Sequence, residues 1–309
     1  MNTQLESLVN NIEKIIVGKR EPIIKVICAM LAEGHILIED VPGVGKTRLV
    51  AALANSVDGQ FNRIQLTPDI MPSDIVGFSM ISPQTKELEY RAGAAMCNFL
   101  LADEINRASP KTQSSLLEVM EEHQISLDGT TMPLPSPFMV MATQNPVETY
   151  GTYHLPEAQM DRFLMKISMG YPAPEEELDI ITRSENPSFK DKLPAVMSID
   201  DVNKHIAAAK EVRCTDSIKE YIVALLNATR NSELVKLGAS PRGGIALLKA
   251  AKSYAYIDGR DYVVPDDVRA VMSAVLSHRL MLSPKGKSAF ATSEAVMEEI
   301  AMSVPAPVK

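Results

Sequence analysis

The stretch HILIEDVPGVGKTRLVAAL, which runs from His35 to Leu53, decides how the rest of the chain is interpreted. It begins with a short apolar run, passes through a glycine-rich turn and ends with residues at helical spacing. Phosphate-binding loops follow the pattern Gly, four free positions, then Gly-Lys-Ser or Gly-Lys-Thr. Gly45, Lys46 and Thr47 fit the second half of that pattern. Asp40 occupies the place of the first glycine, so the loop is either a nucleotide site with a tolerated substitution or an ordinary turn before a helix.

The chemistry of this loop favours a nucleotide site. A phosphate site needs backbone N–H groups that point inward, a helix N-terminus and a cation. The loop from Pro42 to Arg48 offers all three, because Gly43 and Gly45 permit a close backbone approach and a helix follows. Lys46 is long enough to reach the β- and γ-phosphates, and the Thr47 hydroxyl is a suitable ligand for Mg²⁺.

Short apolar runs recur along the first half of the chain, and each ends in polar residues. They are HILIE, FNRIQLT, NFLLADE, FMVMATQN and FLMKISM, at residues 35–39, 61–67, 98–104, 138–145 and 163–169. Because helical segments separate several of them, the pattern predicts a parallel β-sheet that is covered by helices on both faces. Ligands bind beyond the carboxyl ends of the strands in such sheets, which is where the polar residues fall.

Two β-hairpins are expected between these runs, at about residues 77–93 and 124–136. The second contains Asp128-Gly129, a strong turn signal. Beyond about residue 172 the pattern changes to helical spacing, and only DYVV, at residues 261–264, is a candidate strand. We therefore expect two domains, an α/β domain and a helical domain, at residues 1–172 and 173–309. The helices expected in the second domain lie around residues 202–212, 218–230, 241–256 and 265–280.

Composition limits the class of protein. The net charge of −8, without a long basic run, argues against general electrostatic binding of nucleic acid. Cys28, Cys97 and Cys214 lie far apart, which favours reduced thiols in a cytosol over a disulfide framework. The five histidines are scattered and HExxH is absent, so we expect no zinc site. No apolar run approaches the ~20 residues that span a bilayer. We expect a soluble cytoplasmic protein without a membrane partner.

The run NFLLADE places two adjacent carboxylates, Asp103 and Glu104, at the end of a predicted strand. Asp103 suits an indirect role in holding Mg²⁺. Glu104 suits a general base that polarises the water attacking a γ-phosphate. The alternative is an ordinary strand end followed by a charged helix start. Because the pair follows the loop by the interval that a phosphate-loop ATPase requires, the two signals reinforce each other.

Three further polar residues have both a functional and an ordinary interpretation. Asn145 ends an apolar run, where its amide would bond the γ-phosphate or serve only as a turn residue before Pro146. Arg162 precedes the last apolar run and is either a surface salt-bridge partner or an arginine finger for a neighbouring subunit. Arg242 follows the helix N-cap Ser240, where a cation is unfavourable unless an anion such as phosphate lies nearby.

The segments EDVPGVGKT, LLADEINRASPKTQSSLLEVMEE, ATQNPVETYGTYHLPEAQMDRF and GASPRGGIALL, in this order and spacing, resemble the MoxR family of AAA+ ATPases. The resemblance extends from about residue 5 to 300. It implies an αβα sandwich with a five-stranded parallel sheet, followed by an all-helical lid domain. It also implies a ring, usually a hexamer, with ATP at the subunit interfaces. Sequences of this type accept Asp at the position of Asp40.

The resemblance also implies a role for individual residues. Lys46 and Thr47 correspond to the Walker A residues, and Asp103 and Glu104 to the Walker B pair, with Thr47 and Asp103 on the Mg²⁺ ion. The other implied site residues are Asn145 as sensor 1, Arg162 as arginine finger, Arg242 as sensor 2, Ile16, Val17 and Gly18 beside adenine, and Pro42, Gly43, Val44, Gly45 and Arg48 in the phosphate loop. The two hairpins resemble the helix-2 insert and the pre-sensor-1 insert of this clade.

The implied activity is Mg²⁺-dependent hydrolysis of ATP to ADP and phosphate, which drives chaperone-like remodelling or maturation of a client protein. A partner with a von Willebrand factor A domain commonly accompanies such ATPases. Two alternatives stay open. A helicase-like motor would need basic hairpins, but the first offers only Lys86 and Arg91, and the second has no Lys or Arg. A nucleotide-gated, chelatase-like subunit would show hydrolysis stimulated by its partner.

Overall fold

The structure is a computed structural model, and it describes residues 1–41, 43–145, 151–184 and 193–307. Its strands are β1 (Ile36–Glu39), β2 (Phe61–Gln65), β3 (Phe78–Ile81), β4 (Leu88–Arg91), β5 (Phe99–Asp103), β6 (Gln124–Leu127), β7 (Thr130–Pro133), β8 (Met139–Gln144), β9 (Met165–Ile167), β10 (Val235–Leu237) and β11 (Met281–Leu282).

Helices connect and cover these strands. They are α1 (Thr3–Glu13), α2 (Arg20–Leu31), α3 (Lys46–Ser56), α4 (Pro72–Val76), α5 (Pro110–Glu122), α6 (Glu157–Met160), α7 (Pro174–Ser184), α8 (Ile199–Lys210), α9 (Asp216–Asn231), α10 (Pro241–Ile257), α11 (Pro265–Leu276), α12 (Pro284–Ala289) and α13 (Ser293–Met302). Short 3₁₀ turns follow β5 and α11, at Ile105–Arg107 and Ser277–Arg279. Within the described ranges, no helix is both long and apolar enough to span a bilayer.

Five strands form one parallel sheet in the order β2-β5-β8-β1-β9. Successive side chains point to opposite faces, so Ile36 and Ile38 enter one core while Leu37 enters the other. Helices α1, α2 and α3 contribute to the first core, and α5 contributes to the second. The predicted αβα sandwich with a five-stranded parallel sheet and helical lid is confirmed. All five carboxyl ends therefore meet at one edge of the sheet.

The C-terminal helices share the first core with the N-terminal helices. Helix α10 contacts α2 as well as α8, α9 and α11. Leu247, in the middle of α10, is fully buried in the same cluster as Val26 of α2 and Ile36 of the sheet. The chain passes from sheet to helices between Ile167 and Pro174. The domain limits at residues 172 and 173 stay a prediction.

Local features agree with the sequence in some places and differ in others. Both expected hairpins are present, as the antiparallel pairs β3–β4 and β6–β7. The candidate strand at residues 261–264 is wrong, because the structure has only an isolated bridge between Arg213 and Tyr262 there. The small antiparallel sheet of β10 and β11 was not expected, since strands of three and two residues are too short to show a period.

The shared core predicts that the described helices and the sheet unfold together. Leu247→Ala should lower the free energy of unfolding by about 2–5 kcal/mol, because it leaves a cavity in packed surroundings. Ile245→Ala, at an exposed position of the same helix, should change it by less than about 0.5 kcal/mol. Denaturant unfolding monitored by circular dichroism measures both. Two separated transitions in the wild-type protein, only one of them shifted by Leu247→Ala, would contradict the shared core.

Candidate active site

A cleft of about 430 Å³ opens at the carboxyl edge of the sheet. Its lining comes from the α1–α2 connection, the loop before α3 and the ends of β5 and β8. The predicted site residues that line it are Ile16, Val17, Gly43, Val44, Gly45, Lys46, Thr47, Arg48, Asp103, Glu104 and Asn145. Residues that the motifs did not single out, including Lys19, Arg63 and Ile180, complete the lining. Among the predicted site residues, the fold thus brings together positions up to 129 apart in the sequence, from Ile16 to Asn145.

The predicted residues Gly18 and Pro42 are considered separately from this lining. Gly18 lies between the lining residues Val17 and Lys19, with a positive φ of 69°. A Cβ at this position would fall 1.6 Å from Oε1 of Glu176, so a larger residue would displace that side chain in addition to the backbone strain. Pro42 lies outside the described residues, and its predicted place in the loop stays a prediction.

The loop before α3 has the backbone form of an anion site. Gly43 and Gly45 have φ values of 89° and 90°, in the left-handed region that glycine adopts without strain. Helix α3 begins at Lys46, and among the described residues no side chain caps its first turn. A helix start of this kind, without a capping side chain from Gly45, is a position where backbone N–H groups bind anions. The Lys46 ammonium donates to the carbonyl of Asp40, at 2.9 Å.

Asp40 is buried, and its carboxylate points away from the cleft. It accepts hydrogen bonds from the Ser168 hydroxyl at 2.8 Å, from the Met169 N–H at 2.5 Å and from the Gly170 N–H at 3.2 Å. These three residues follow β9 and lead towards α7. The aspartate at the place of the first glycine is thus compatible with phosphate binding, because its charge is directed at the segment behind the loop.

The two carboxylates at the end of β5 have different partners. Asp103 accepts from the Arg63 guanidinium at Oδ2, at 2.7 Å, and from the Thr143 hydroxyl at Oδ1, at 2.6 Å. Glu104 follows at once with φ 58° and ψ 53°, a left-handed backbone that is uncommon outside glycine. Its Oε2 accepts from the Gln65 amide at 2.7 Å and from the Arg107 guanidinium at 3.1 Å.

Sequence reasoning missed these partners of the carboxylates. Arg63 and Gln65 lie on β2, which neighbours β5, and the register places Gln65 opposite Asp103. Both are polar residues near the carboxyl end of an apolar run, which was the available signal. The strand order that makes them neighbours of the carboxylates cannot be derived from one sequence. Arg107 lies three residues beyond Glu104, in the 3₁₀ turn that follows β5.

Arg162 and Arg242 are not among the described residues that line the cleft; instead, both contact Glu121 near the end of α5. Arg242 pairs with Oε1 of Glu121 at 2.7 Å, and Arg162 pairs with Oε2 at 3.1 Å. The anion beside Arg242 in this structure is therefore a carboxylate. His35, which precedes β1, contacts the Met120 carbonyl at 2.8 Å, so this group lies at the amino edge of the sheet.

The opposite edges of the sheet are well separated. A strand rises about 3.3 Å per residue, so the four residues of β1 alone place about 13 Å between the edges. Strand direction places Arg242 at the edge of the sheet opposite the cleft of its own chain, and its role as sensor 2 stays a prediction. The predicted arginine finger Arg162 lies beside it.

An ion pair between the buried Arg279 and the partly buried Asp161 connects the segments that contain the two arginines. Asp161 accepts from the Arg279 guanidinium at 2.6 Å and from the hydroxyl of Ser240, the N-cap of α10, at 3.3 Å. Burial lowers the pKa of Arg279, and the carboxylate of Asp161 opposes that shift. Arg279 also donates to the Phe163 carbonyl at 2.8 Å. Through the contact between Asp161 and Ser240, the loop that contains Arg162 is held against the start of α10, where Arg242 lies.

The sequence and the fold match known proteins. Residues 35–165 match the ATPase family associated with various cellular activities (AAA), and residues 227–300 match an AAA lid domain. The chain is 42% identical to chaperone MoxR1 of Mycobacterium tuberculosis, over 98% of this chain and 82% of that protein. It is 51% identical to the uncharacterized protein YeaC of Bacillus subtilis, over 99% of this chain and 95% of that protein.

A solved structure supports the same assignment. The crystal structure of a proposed ATPase from Cytophaga hutchinsonii is 37% identical, with a TM-score of 0.92, and the match covers 99% of this chain and 95% of that chain. The chain therefore belongs to the MoxR family of AAA+ ATPases. The resemblance inferred from the four motifs is confirmed at the level of the family. The roles of the individual residues stay predictions.

The position of Asp40 leads to a test that separates stability from binding. Asp40→Gly should lower the free energy of unfolding by about 1–3 kcal/mol, because it leaves buried donors without their acceptor. Affinity for ATP should stay close to that of the wild type, because the carboxylate does not face the cleft. Thermal unfolding and nucleotide titration measure the two effects. Ser168→Ala, which removes one of the three donors, should have a smaller effect on stability.

The opposite pattern for Asp40→Gly would contradict this account. It would consist of unchanged stability together with a large change in ATP affinity, and it would mean that the carboxylate acts on the nucleotide.

Proposed function

We propose that this protein hydrolyses ATP to ADP and phosphate in the cleft, and that the cycle drives remodelling or maturation of partner proteins. The observation that supports hydrolysis best is the convergence of the glycine-rich loop, Lys46, the Asp103–Glu104 pair and Asn145 on one cleft. Binding alone would need the loop and the lysine. A carboxylate pair opposite them adds the groups that position and activate a water molecule.

The lining suggests how ATP lies in the cleft. Ile16 and Val17 offer apolar contacts to the adenine base at one end. The loop from Gly43 to Thr47, with the start of α3, surrounds the phosphates at the other. Lys46 exchanges the Asp40 carbonyl for phosphate oxygens, which are stronger partners because the hydrogen bond then joins two charged groups.

Thr47 and Asp103 fit a magnesium site. They bring a hydroxyl and a carboxylate to the same cleft, and oxygen ligands of this kind, few in number, suit an ion that keeps several waters. When bound, the ion would neutralise charge on the phosphate oxygens during transfer. Asp103 would present its Oδ2, now paired with Arg63, to that site.

Glu104 is the proposed general base. Its carboxylate would accept a proton from the attacking water, and the buried amide of Asn145 would orient that water or the γ-phosphate. In this structure Gln65 and Arg107 hold the Glu104 carboxylate, so catalysis requires an exchange of these partners for water.

We infer that Arg162 and Arg242 act on the ATP of a neighbouring copy. Within one chain the length of the sheet separates them from the cleft. They protrude at its opposite edge, with exposed fractions of 30% and 48% for their side chains. A closed ring, proposed to be a hexamer, gives every cleft an arginine pair from the next subunit. The arginines then stabilise charge on the transferred phosphoryl group.

The proposal for the partner protein is less specific than the proposal for the site. The name chaperone MoxR1 supports a chaperone-like role for this chain. The hairpin β3–β4 offers a surface for a client, because Phe78, Ile81 and Leu88 are exposed there. A protein with a von Willebrand factor A domain is the proposed accessory partner. Cys28 and Cys97 are free buried thiols, which suits a reducing cytoplasm.

The role of Glu104 has a direct test. Glu104→Gln should bind ATP with near wild-type affinity and should lower turnover about 10²–10⁴-fold, because the amide cannot accept the proton. Phosphate release and equilibrium nucleotide binding measure the two quantities. Glu299→Gln, at an exposed position of α13, is the control and should leave both unchanged. Turnover near the wild-type rate in Glu104→Gln would remove this residue from the mechanism.

A complementation experiment tests the action of the arginines on a neighbour. Arg162→Ala and Lys46→Ala should each be nearly inactive alone. A mixture of the two should regain hydrolysis, because an intact cleft of one variant meets an intact Arg162 of the other. A mixture of Lys46→Ala with Glu104→Gln is the control and should stay inactive, since both defects lie in the cleft. Equal inactivity of both mixtures would contradict the arrangement.

A further inference from the structure

Thr143 lies in β8, two residues before Asn145, and its side chain is fully buried. Its hydroxyl donates to Oδ1 of Asp103 at 2.6 Å and accepts from the N–H of Glu104 at 2.9 Å. One oxygen atom therefore contacts both members of the carboxylate pair. We propose that Thr143 is a positioning residue for hydrolysis, which holds the carboxylate of Asp103 and the backbone of Glu104 in their working orientations.

The backbone of Glu104 needs such a contact. Its left-handed conformation is strained for a residue with a side chain, and strain of this kind persists only where the surroundings hold it. The Glu104 carbonyl accepts from the Arg107 N–H at 2.9 Å, inside the turn that follows. The N–H is held from outside the turn, by Thr143 on the neighbouring strand. The turn directs the Glu104 side chain towards Gln65 rather than along the line of β5.

The same hydroxyl distinguishes the two oxygens of Asp103. Because Thr143 occupies Oδ1, the remaining oxygen, Oδ2, faces the cleft and contacts the half-exposed Arg63. Loss of the hydroxyl would let the carboxylate rotate about its last bond. Thr143 thus decides which oxygen Asp103 presents to a cation or a water molecule in the cleft.

The hydroxyl is not needed for the sheet itself. The backbone of Thr143 pairs with Ile38 of β1 in the parallel ladder, and a valine would fill the same volume in the core. The hydrogen bonds of the side chain join Asp103 and Glu104 instead. Orientation of the carboxylate pair is what a threonine provides here beyond packing.

This inference rests on the proposed hydrolysis, so its test includes a measurement without nucleotide. Thr143→Val removes the hydroxyl at constant shape, and Thr143→Ser retains it. Amide hydrogen exchange at Glu104, followed in the nucleotide-free protein, should be faster in Thr143→Val and near wild type in Thr143→Ser. Turnover should fall about 10–100-fold in Thr143→Val, as expected for a misplaced catalytic group, and recover in Thr143→Ser. The KM for ATP should change little, because the phosphate loop is untouched.

Ser56→Ala is the matched control. The Ser56 hydroxyl is also fully buried, donates to the Ala52 carbonyl at 2.6 Å and accepts from the Asn11 amide at 3.0 Å, at the far end of α3. Its loss should lower thermal stability without slowing hydrolysis. If Thr143→Val does not fold, Thr143→Ala serves in its place, with thermal unfolding as the check.

Three results would overturn the inference: wild-type turnover and exchange in Thr143→Val, equal losses in Thr143→Ser and Thr143→Val, or equal slowing in Ser56→Ala. An inactive wild-type protein would instead overturn the proposed hydrolysis. Amide exchange at Glu104 would then still decide whether Thr143 holds the backbone of the pair.

Discussion

The common direction of the five strands is the constraint on which the site depends. Because the sheet is parallel, every strand-to-helix loop leaves at one edge, and the phosphate loop and the carboxylate pair meet there. The segments that enter strands lie at the other edge, and Arg162 is on one of them. The same geometry that assembles the cleft thus places the two arginines, which we propose act on a neighbouring copy, at the opposite edge. A single chain presents a cleft on one side and an arginine pair on the other.

The charged groups of both halves are paired within the chain. Lys46 donates to a backbone carbonyl, Asp103 accepts from Arg63, and Glu121 binds both arginines. These pairs are partly exposed to solvent, where an ion pair contributes about 0–1 kcal/mol. Exchange of such partners for phosphate oxygens therefore costs little free energy. The pair of Asp161 and the buried Arg279 is better suited to stay intact during such an exchange. The structure combines fixed supports with exchangeable contacts.

The sequence predicted the strands well because a strand buried on both faces is a continuous apolar run. All five runs became strands of the sheet, and the residues that end two of them, Asp103 with Glu104 and Asn145, line the cleft. The sequence did not predict the order of the strands, and this order places Arg63 and Gln65 beside the carboxylates. Likewise, nothing in the sequence distinguishes Thr143 from an ordinary strand residue, because its partners lie on the neighbouring strand β5 and just after it. Asp40 shows the same limit, since only the fold reveals that its carboxylate meets the segment after β9.

If one chain supplies only half of each site, hydrolysis depends on association. The most direct measurement is the rate of ATP turnover per chain as the protein is diluted, with the assembly state followed in parallel by light scattering. The account predicts that turnover per chain falls as the assemblies dissociate and returns on reconcentration. Turnover per chain that stays constant while the protein becomes monomeric would contradict it, because a monomer would then hold a complete site.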